Sequence, residues 1–198
     1  MKERGRNHKI LFNIFLCFLF TVVMIIFIVI IFIVEFSWGG KKMRLYSQVF
    51  RDGDRMPLKY VMPLAGGQNV SPPLSWEGVP SEAKSLVLLC YDPHPVAKNW
   101  VHWIVINIPP EVNGLPEGAS NKAMPKGAKE LKNSFGFVGY GGPQPPPGTG
   151  DHPYVFILYA LKQQQTVSLP EKPSYEQIIS AIKPYTIDEA KLTVYYGR

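Results

Sequence analysis

The longest feature of the hydropathy pattern is an apolar run of twenty-five residues, from Ile10 to Val34, that contains no charged side chain. An α-helix of this length rises about 37 Å, enough to span a hydrocarbon core about 30 Å thick. The run is longer than the core of a signal peptide and is not followed by an Ala-x-Ala pattern. The pattern therefore predicts an uncleaved transmembrane anchor. It divides the chain into a basic tail (residues 1–9), the anchor (10–34), a linker (35–44) and a folded domain (45–198).

Basic residues flank the apolar run on both sides. Four precede it, namely Lys2, Arg4, Arg6 and Lys9, and three follow it, namely Lys41, Lys42 and Arg44. Because positive charge is retained on the cytoplasmic side, the first group favours a cytoplasmic N-terminus and an external domain, although the asymmetry is small. Met43 stands directly before the domain. Translation from that residue would give a cytoplasmic protein without the anchor.

Beyond the linker, short apolar segments alternate with turn residues. Segments rich in β-branched and aromatic residues and bounded by Gly, Pro or Asn predict five strands: Leu45–Phe50, Ser85–Tyr91, His102–Ile108, Tyr154–Leu161 and Lys191–Tyr196. Two of these segments, 85–91 and 103–108, are almost continuously apolar, which is typical of central strands covered on both faces. The domain is therefore predicted to be mainly β.

Helix is predicted only near the C-terminus. Ser174 is a suitable N-cap, apolar residues follow at positions 178, 179 and 182, and the helix is expected to end before Pro184. A second short helix is predicted to start at Thr186, because Asp188 and Glu189 would lie in its first turn.

Charge and cysteine content exclude several classes of function. The net charge of +6 belongs mainly to residues 1–44, which hold seven Lys or Arg and two Glu, whereas residues 45–198 hold fourteen basic and thirteen acidic residues. The domain therefore lacks the basic stripe of a nucleic-acid-binding protein. The two cysteines, Cys17 and Cys90, lie in separate apolar runs, so neither a disulfide framework nor a thiolate metal site is predicted.

The first group of candidate site residues surrounds the turn between two predicted strands. Asp92 ends one strand before Pro93, and its carboxylate is expected to point towards His102 at the start of the next strand. Trp100 and His102 are two residues apart and so share one face of a strand. The alternatives are a turn aspartate that binds nearby backbone N–H groups and a buried histidine satisfied by a backbone carbonyl.

The second group repeats this spacing. His152 and Tyr154 place an imidazole and a phenol on one face of a strand, and the preceding Gly148-Thr149-Gly150 offers backbone N–H groups of the kind that form an anion nest. The proline tract 143–147 lies between segments that are predicted to belong to the folded domain. A proline-rich docking segment is the alternative interpretation. If the two strands are neighbours, His102 and His152 converge on one pocket.

Neither group contains an obvious nucleophile. The sequence has no Gly-x-Ser-x-Gly elbow, no cysteine near either histidine, and no zinc-binding His-x-x-x-His or His-Glu-x-x-His spacing. The residues therefore favour binding over catalysis, and no catalytic residue, metal ligand or cofactor is predicted.

Several motifs nevertheless occur in an order that is specific to one family. They are Asn69–Trp76, Asp92-Pro93, Trp100–Trp103, Asn107–Pro109, Gly141–Pro143 with Pro145-Pro146, Gly148–Tyr154, Leu158–Leu161 and Tyr196–Arg198. On these residues the domain resembles the phosphatidylethanolamine-binding proteins, also called Raf-kinase-inhibitor-like proteins, in their bacterial branch. The resemblance covers nearly all of residues 43–198.

The resemblance implies a β-sandwich of Greek-key type, with two antiparallel sheets and short peripheral helices. It also implies a small pocket for phosphate, acetate or phospholipid headgroups, lined here by Asp92, Trp100, His102, Pro146, His152 and Tyr154. Three positions depart from the family pattern, and one of them is Tyr185, which stands where bacterial members commonly have a C-terminal histidine. His94 replaces the usual second acidic residue, and Gln144 stands where a small residue is frequent.

The expected function is that of a membrane-tethered binding module for a small anion, with both imidazoles as hydrogen-bond donors and Asp92 orienting one of them. The first alternative, which some relatives suggest, is a regulator or inhibitor of a kinase or protease that uses the rim of the pocket. An acid/base hydrolase that uses Asp92 and the histidines is the least favoured hypothesis.

Overall fold

The computed structural model describes residues 18–29, 42–164 and 169–198. The chain divides into two compact units, residues 1–40 and residues 41–198. Each unit is described by itself.

The first unit contains a helical stretch at residues 18–29, whose apolar side chains are largely exposed. This stretch lies inside the predicted anchor, of which residues 10–17 and 30–34 fall outside the described residues. Among the described residues, no helix has the length and apolar character needed to cross a bilayer. The transmembrane anchor therefore stays a prediction.

The second unit is a mainly β domain with two antiparallel sheets, as predicted. Its strands are β1 (Arg44–Tyr46), β2 (Leu74–Glu77), β3 (Ser85–Asp92), β4 (Trp100–Ile108), β5 (Gly114–Leu115), β6 (Lys129–Glu130), β7 (His152–Leu161) and β8 (Thr186–Tyr196). The small sheet has the order β1-β2-β5, and the large sheet has the order β6-β4-β3-β7-β8.

The large sheet is covered on both faces, which explains its continuous apolar sequences. Along β3, Leu86, Leu88 and Cys90 belong to a core shared with the small sheet, whereas Val87 and Leu89 belong to a second core on the opposite face. Since successive side chains of a strand point to opposite faces, a strand between two cores needs apolar residues at every position. The prediction of central strands at 85–91 and 103–108 is confirmed.

The second core is closed by an α-helix, Tyr175–Ile182, as predicted. The Ser174 hydroxyl accepts a hydrogen bond from the Gln177 backbone N–H, and the Gln177 side chain accepts one from the Ser174 N–H. This reciprocal pair satisfies two backbone donors at the start of the helix. Ile178 and Ile182 are buried against the sheet, and a 3-10 turn at Lys183–Tyr185 follows.

The predicted second helix at Thr186 is wrong, because Thr186–Tyr196 forms β8. Ala190, Leu192, Val194 and Tyr196 are buried at every second position, and β8 pairs with β7 along almost its whole length. Burial at every second position is the pattern of a strand, and the acidic pair at 188–189 does not mark the start of a helix.

Other boundaries also differ from the sequence analysis. The first strand ends at Tyr46 instead of Phe50, and the short strands β2, β5 and β6 were not predicted. Met43 is buried in the core, and its backbone N–H donates to Asp188 Oδ2.

The order of the large sheet places three strand ends together. Both neighbours of β3 run antiparallel to it, so the first residues of β4 and β7 lie beside the last residues of β3. Asp92 ends β3 and is paired with Trp100 at the start of β4, while His152 starts β7. Residues distant in sequence therefore meet at one edge.

Candidate ligand-binding site

A cavity of about 360 Å³ opens at this edge of the large sheet. Its lining comprises Asp92, Val96, Ala97, Trp100, His102, Phe135, Gln144, Pro145, Pro146, His152 and Tyr154. All six residues proposed from the sequence are in this list. The other five were not proposed as site residues, namely Val96, Ala97, Phe135, Gln144 and Pro145. Nothing in the sequence indicates that their loops fold over the strand ends.

Asp92 binds His152 and not His102, so the pairing expected from the sequence is wrong. Asp92 Oδ2 accepts a hydrogen bond from His152 Nδ1 at 2.6 Å, and both side chains are almost fully buried. Asp92 Oδ1 accepts a second hydrogen bond from the His94 backbone N–H at 2.8 Å. The carboxylate thus orients one imidazole, but it reaches the neighbouring strand β7 instead of β4.

The position of His102 results from an irregularity in the sheet. Tyr91 pairs with Val101 and Cys90 pairs with Trp103, so His102 has no partner on β3 and forms a β-bulge. A bulge bends the strand and changes the direction of the side chain. Trp100 and His102 both line the cavity, although only Trp100 is substantially exposed, at 38 %.

His102 lines the cavity, and its backbone contact fixes which ring nitrogen carries the hydrogen. Its Nδ1 lies 2.6 Å from Gly141 O. Because a carbonyl can only accept, Nδ1 carries the hydrogen. Burial lowers the pKa of His102 to about 4, outweighing the opposite effects of the Gly141 and Gly142 carbonyls and of Asp92. The ring is therefore neutral near pH 7, and Nε2 holds a lone pair.

Asn69 fixes the segment that holds His102. Its side-chain Oδ1 accepts from Gly142 N–H at 2.7 Å, and its Nδ2 donates to Tyr140 O at 3.2 Å. Gly141 N–H also donates to His102 O at 2.9 Å. A side chain at position 141 would meet the Phe135 ring at 2.7 Å, so glycine is required there. Asn69 thereby sets the carbonyl that selects the tautomer of His102.

Thr149 extends the Asp92–His152 pair. Its Oγ1 lies 2.8 Å from His152 Nε2 and also donates to Pro146 O at 2.8 Å. From the sequence, Thr149 was expected only as part of a glycine-rich nest, and no role was predicted for its hydroxyl. The structure places carboxylate, imidazole and hydroxyl in the same order as a hydrolase triad.

The direction of the Thr149 hydroxyl argues against its activation. Its single hydrogen is donated to Pro146 O at 2.8 Å. In a hydrolase triad the hydroxyl hydrogen is instead directed at the imidazole that removes it. The geometry therefore favours a structural role for Thr149.

The predicted anion nest is also occupied by the protein. Gly148 N–H donates to Arg198 O at 2.9 Å, and Thr149 N–H is directed to Pro146 O at 3.4 Å. These two donors therefore serve the loop itself. The segment 148–150 positions the hydroxyl of Thr149, and two of its three N–H groups are already used within the protein.

His94, the departure from the family pattern, covers His152. The two rings are nearly parallel, at 19°, with their centroids 3.7 Å apart. His94 Nδ1 accepts a hydrogen bond from the Val96 backbone N–H at 3.3 Å, which fixes the ring in its turn. An acidic residue at this position would lack the flat surface that stacks on the imidazole.

The rim of the cavity is aromatic. Trp100 packs edge-to-face on Phe135 with centroids 5.3 Å apart, and Phe135 stacks on Phe137 at 5.8 Å. Gln144 lies in the wall, and its buried amide oxygen Oε1 has no hydrogen-bond partner. Within the part of the chain that the structure describes, no three His, Cys, Asp or Glu side chains are grouped to hold a metal ion.

Comparison with known proteins identifies the family of this fold and cavity. The model of the family described as phosphatidylethanolamine-binding protein matches residues 46–197. The chain belongs to the phosphatidylethanolamine-binding protein family. This confirms the resemblance found in the sequence, and the matched span contains all six predicted site residues.

Relatives and solved structures agree with this membership. A UPF0098 protein of Methanothermobacter thermautotrophicus is 42% identical over 157 residues, covering 79% of this chain and 99% of the relative. The crystal structure of Escherichia coli YbcL, described as a new member of the mammalian PEBP family, has a TM-score of 0.74 at 32% sequence identity. The match covers 80% of this chain and 99% of the YbcL chain. A phosphatidylethanolamine-binding protein homologue, CT736 of Chlamydia trachomatis, has a TM-score of 0.66 at 37% identity, covering 79% and 98%.

Proposed function

We propose that this protein is a membrane-tethered member of the family whose cavity binds a small phosphate- or carboxylate-bearing group, such as a phospholipid headgroup. The observation that carries the proposal is the cavity itself. A space of about 360 Å³ with an aromatic mouth ends on a buried polar floor of Asp92, His102 and His152. Small-molecule sites are typically concave and mostly apolar, with a few convergent polar groups.

Stiffness of the walls supports a binding role. Pro145 and Pro146 form part of the lining, and the Arg198 guanidinium donates to Pro145 O at 2.6 Å. Proline fixes its own backbone torsion, and a hydrogen bond from the C-terminal residue holds the loop in place. A preformed cavity loses little conformational entropy on binding, which favours affinity for a small group.

The tether is proposed from the apolar run at residues 10–34, with the N-terminus in the cytoplasm and the domain outside. A single transmembrane helix would keep the cavity near the bilayer surface, where phospholipid headgroups are concentrated. Resistance to alkaline extraction from membranes is expected for the full chain and not for a chain that starts at Met43. Extraction of both forms to the same extent would contradict the tether.

The binding proposal is tested by filling the cavity. Ala97 lines it and Ala123 is an exposed alanine elsewhere in the domain, so Ala97→Phe and Ala123→Phe form a matched pair. With histidine-labelled full chain in detergent, millimolar phosphate or phosphoethanolamine is expected to shift the His102 and His152 resonances. Ala97→Phe should weaken this response at least tenfold, whereas Ala123→Phe should not. Unshifted imidazoles in the unaltered chain would overturn the proposal.

A regulator or inhibitor of a kinase or protease is the second candidate, and the exposed apolar rim supports it. Val96, Trp100 and Phe137 are each more than a third exposed. Exposed apolar groups beside a pocket are typical of protein-interaction sites. Recovery of a kinase or protease from native membranes with the unaltered chain, and its loss with Trp100→Ser, would favour this candidate.

A further inference from the structure

The cavity contains a buried negative charge and no basic side chain other than the imidazoles. Asp92 is 3 % exposed, and neither lysine nor arginine belongs to the lining. The Arg198 guanidinium lies at the rim but is engaged with two backbone carbonyls, those of Pro145 and Leu64. His152, bonded to Asp92, is thus the group that offsets the carboxylate. The floor of the cavity is at most neutral.

The imidazoles also offer no free N–H group to a ligand. His102 uses its Nδ1 hydrogen on Gly141 O, and both nitrogens of His152 have protein partners, Asp92 and Thr149. The expectation that both histidines donate to an anion is therefore not met by this geometry. The hydrogen-bonding group that remains on the two imidazoles is the lone pair of His102 Nε2.

Another polar atom of the wall adds to this pattern. Tyr154 Oη receives a hydrogen bond from the Gln144 backbone, so its own hydroxyl hydrogen is available as a donor. A ligand that brings both a hydrogen-bond donor and an acceptor matches His102 Nε2 and Tyr154 Oη. A fully ionised anion, which has only acceptors, does not.

We propose that the cavity selects an acid group that still carries one proton, namely a phosphate or phosphonate monoanion or an un-ionised carboxyl, and that the ligand O–H donates to His102 Nε2. This inference rests on the proposed function and specifies the form of the ligand. A dianion would place two negative charges beside buried Asp92 and would set an oxygen lone pair against that of Nε2. Both contacts disfavour the fully ionised form.

The titratable groups around His102 are few. Asp92 ends β3, His152 and Tyr154 lie on β7, and His94 stacks on the far side of His152. Any pH dependence of binding must therefore come from these groups, from His102 itself or from the ligand. A comparison of ligands with different acidities separates the ligand from the protein.

The test measures the affinity of the full chain in detergent between pH 5 and 9 by calorimetry. Three probes share one alkyl group: propyl phosphate, propylphosphonate and propyl sulfate. A phosphate monoester loses its second proton at about pH 6. The phosphonate is more basic and loses its second proton at a higher pH. The sulfate has no proton to lose between pH 5 and 9. Affinity for the first two should fall about tenfold per pH unit above the second pKa of each ligand. The sulfate should bind at least tenfold more weakly than the phosphate at the acidic end.

Three results would overturn the inference. A common pH midpoint for phosphate and phosphonate would show that a protein group titrates, and equal binding of the sulfate would show that charge alone is recognised. In both of these cases the proposed function survives. The third result, no binding of any probe at any pH, would remove the proposed function and this inference together.

A variant of His102 isolates the acceptor. His102→Asn keeps an N–H that can reach Gly141 O but removes the ring atom Nε2. The preference for phosphate over sulfate should then fall to about one. A preference that persists in a folded His102→Asn protein would assign the selection to another atom. The ligand series on the unaltered chain decides the matter if this variant does not fold.

Discussion

His152 Nδ1 donates to Asp92 Oδ2 at 2.6 Å across sixty positions of sequence, with both side chains shielded from solvent. This bond joins the end of β3 to the start of β7. It fixes the orientation of the imidazole and provides a partner for a carboxylate that would otherwise be buried alone. Stability and the proposed ligand binding are therefore both expected to depend on the same pair.

Replacing Asp92 should destabilise the domain strongly. Removal of one partner from a buried ion pair typically costs about 3–5 kcal/mol, because the other partner is left uncompensated. Asp92→Ala is expected to lower the free energy of unfolding by about this amount in urea denaturation. Asp92→Asn keeps an oxygen acceptor for Nδ1 and should cost less. Equal losses for the two variants would show that the hydrogen bond itself contributes nothing.

The Thr149 hydroxyl is predicted to be structural. Thr149→Val keeps the shape of the side chain but leaves His152 Nε2 and Pro146 O without this partner. Loss of such a hydrogen bond costs about 1–3 kcal/mol, whereas Thr149→Ser should change stability by less than about 0.5 kcal/mol. Thermal and urea denaturation measure the difference. A serine variant as unstable as the valine variant would contradict this role.

Hydrolase chemistry can be examined with the same two variants. The Thr149 hydroxyl donates its hydrogen to Pro146 O, so no covalent labelling of Thr149 by fluorophosphonate probes is expected. Labelling that is present in the unaltered chain and in Thr149→Ser, but absent in Thr149→Val, would show that the hydroxyl is activated after all.

Asn69 should control both stability and the tautomer of His102. The residue has a positive φ of 54° and makes hydrogen bonds to Gly142 and Tyr140. Asn69→Gly removes these bonds without backbone strain and should cost about 2 kcal/mol. Asn69→Ala should cost roughly 1 kcal/mol more, because alanine is strained in the left-handed region. Identical stabilities would show that strain plays no part.

Acid should weaken the fold through His102. Because burial lowers the pKa of His102 from its ordinary 6.5 to about 4, the unfolded chain binds more protons between these two pH values. The stability that comes from keeping His102 neutral is therefore fully present above about pH 6.5 and is lost as the pH falls towards 4. The free energy of unfolding is expected to differ by about 3 kcal/mol between these two conditions. Titration of histidine-labelled protein by NMR measures the pKa directly. A value for His102 of 6 or above would refute this prediction.

Much of the fold followed from short-range patterns. The continuous apolar sequences of β3 and β4 indicated central strands, and Ser174 began the helix as expected. These features depend on residue type at fixed spacing, so sequence is sufficient to find them. The strand β8 was missed in part because Asp188 and Glu189 suit a helix start equally well, and only pairing with β7 decides between the two.

The sequence by itself determined the family, the central strands and six of the residues that line the cavity, because each depends on motifs or on residue types at strand ends. Only the tertiary structure decided that Asp92 binds His152, that the bulge turns His102 towards Gly141 and that Thr149 completes the chain of hydrogen bonds. The reason is physical. Hydrogen-bond partners, burial and the resulting protonation state arise where segments distant in sequence meet, and sequence spacing does not encode those distances.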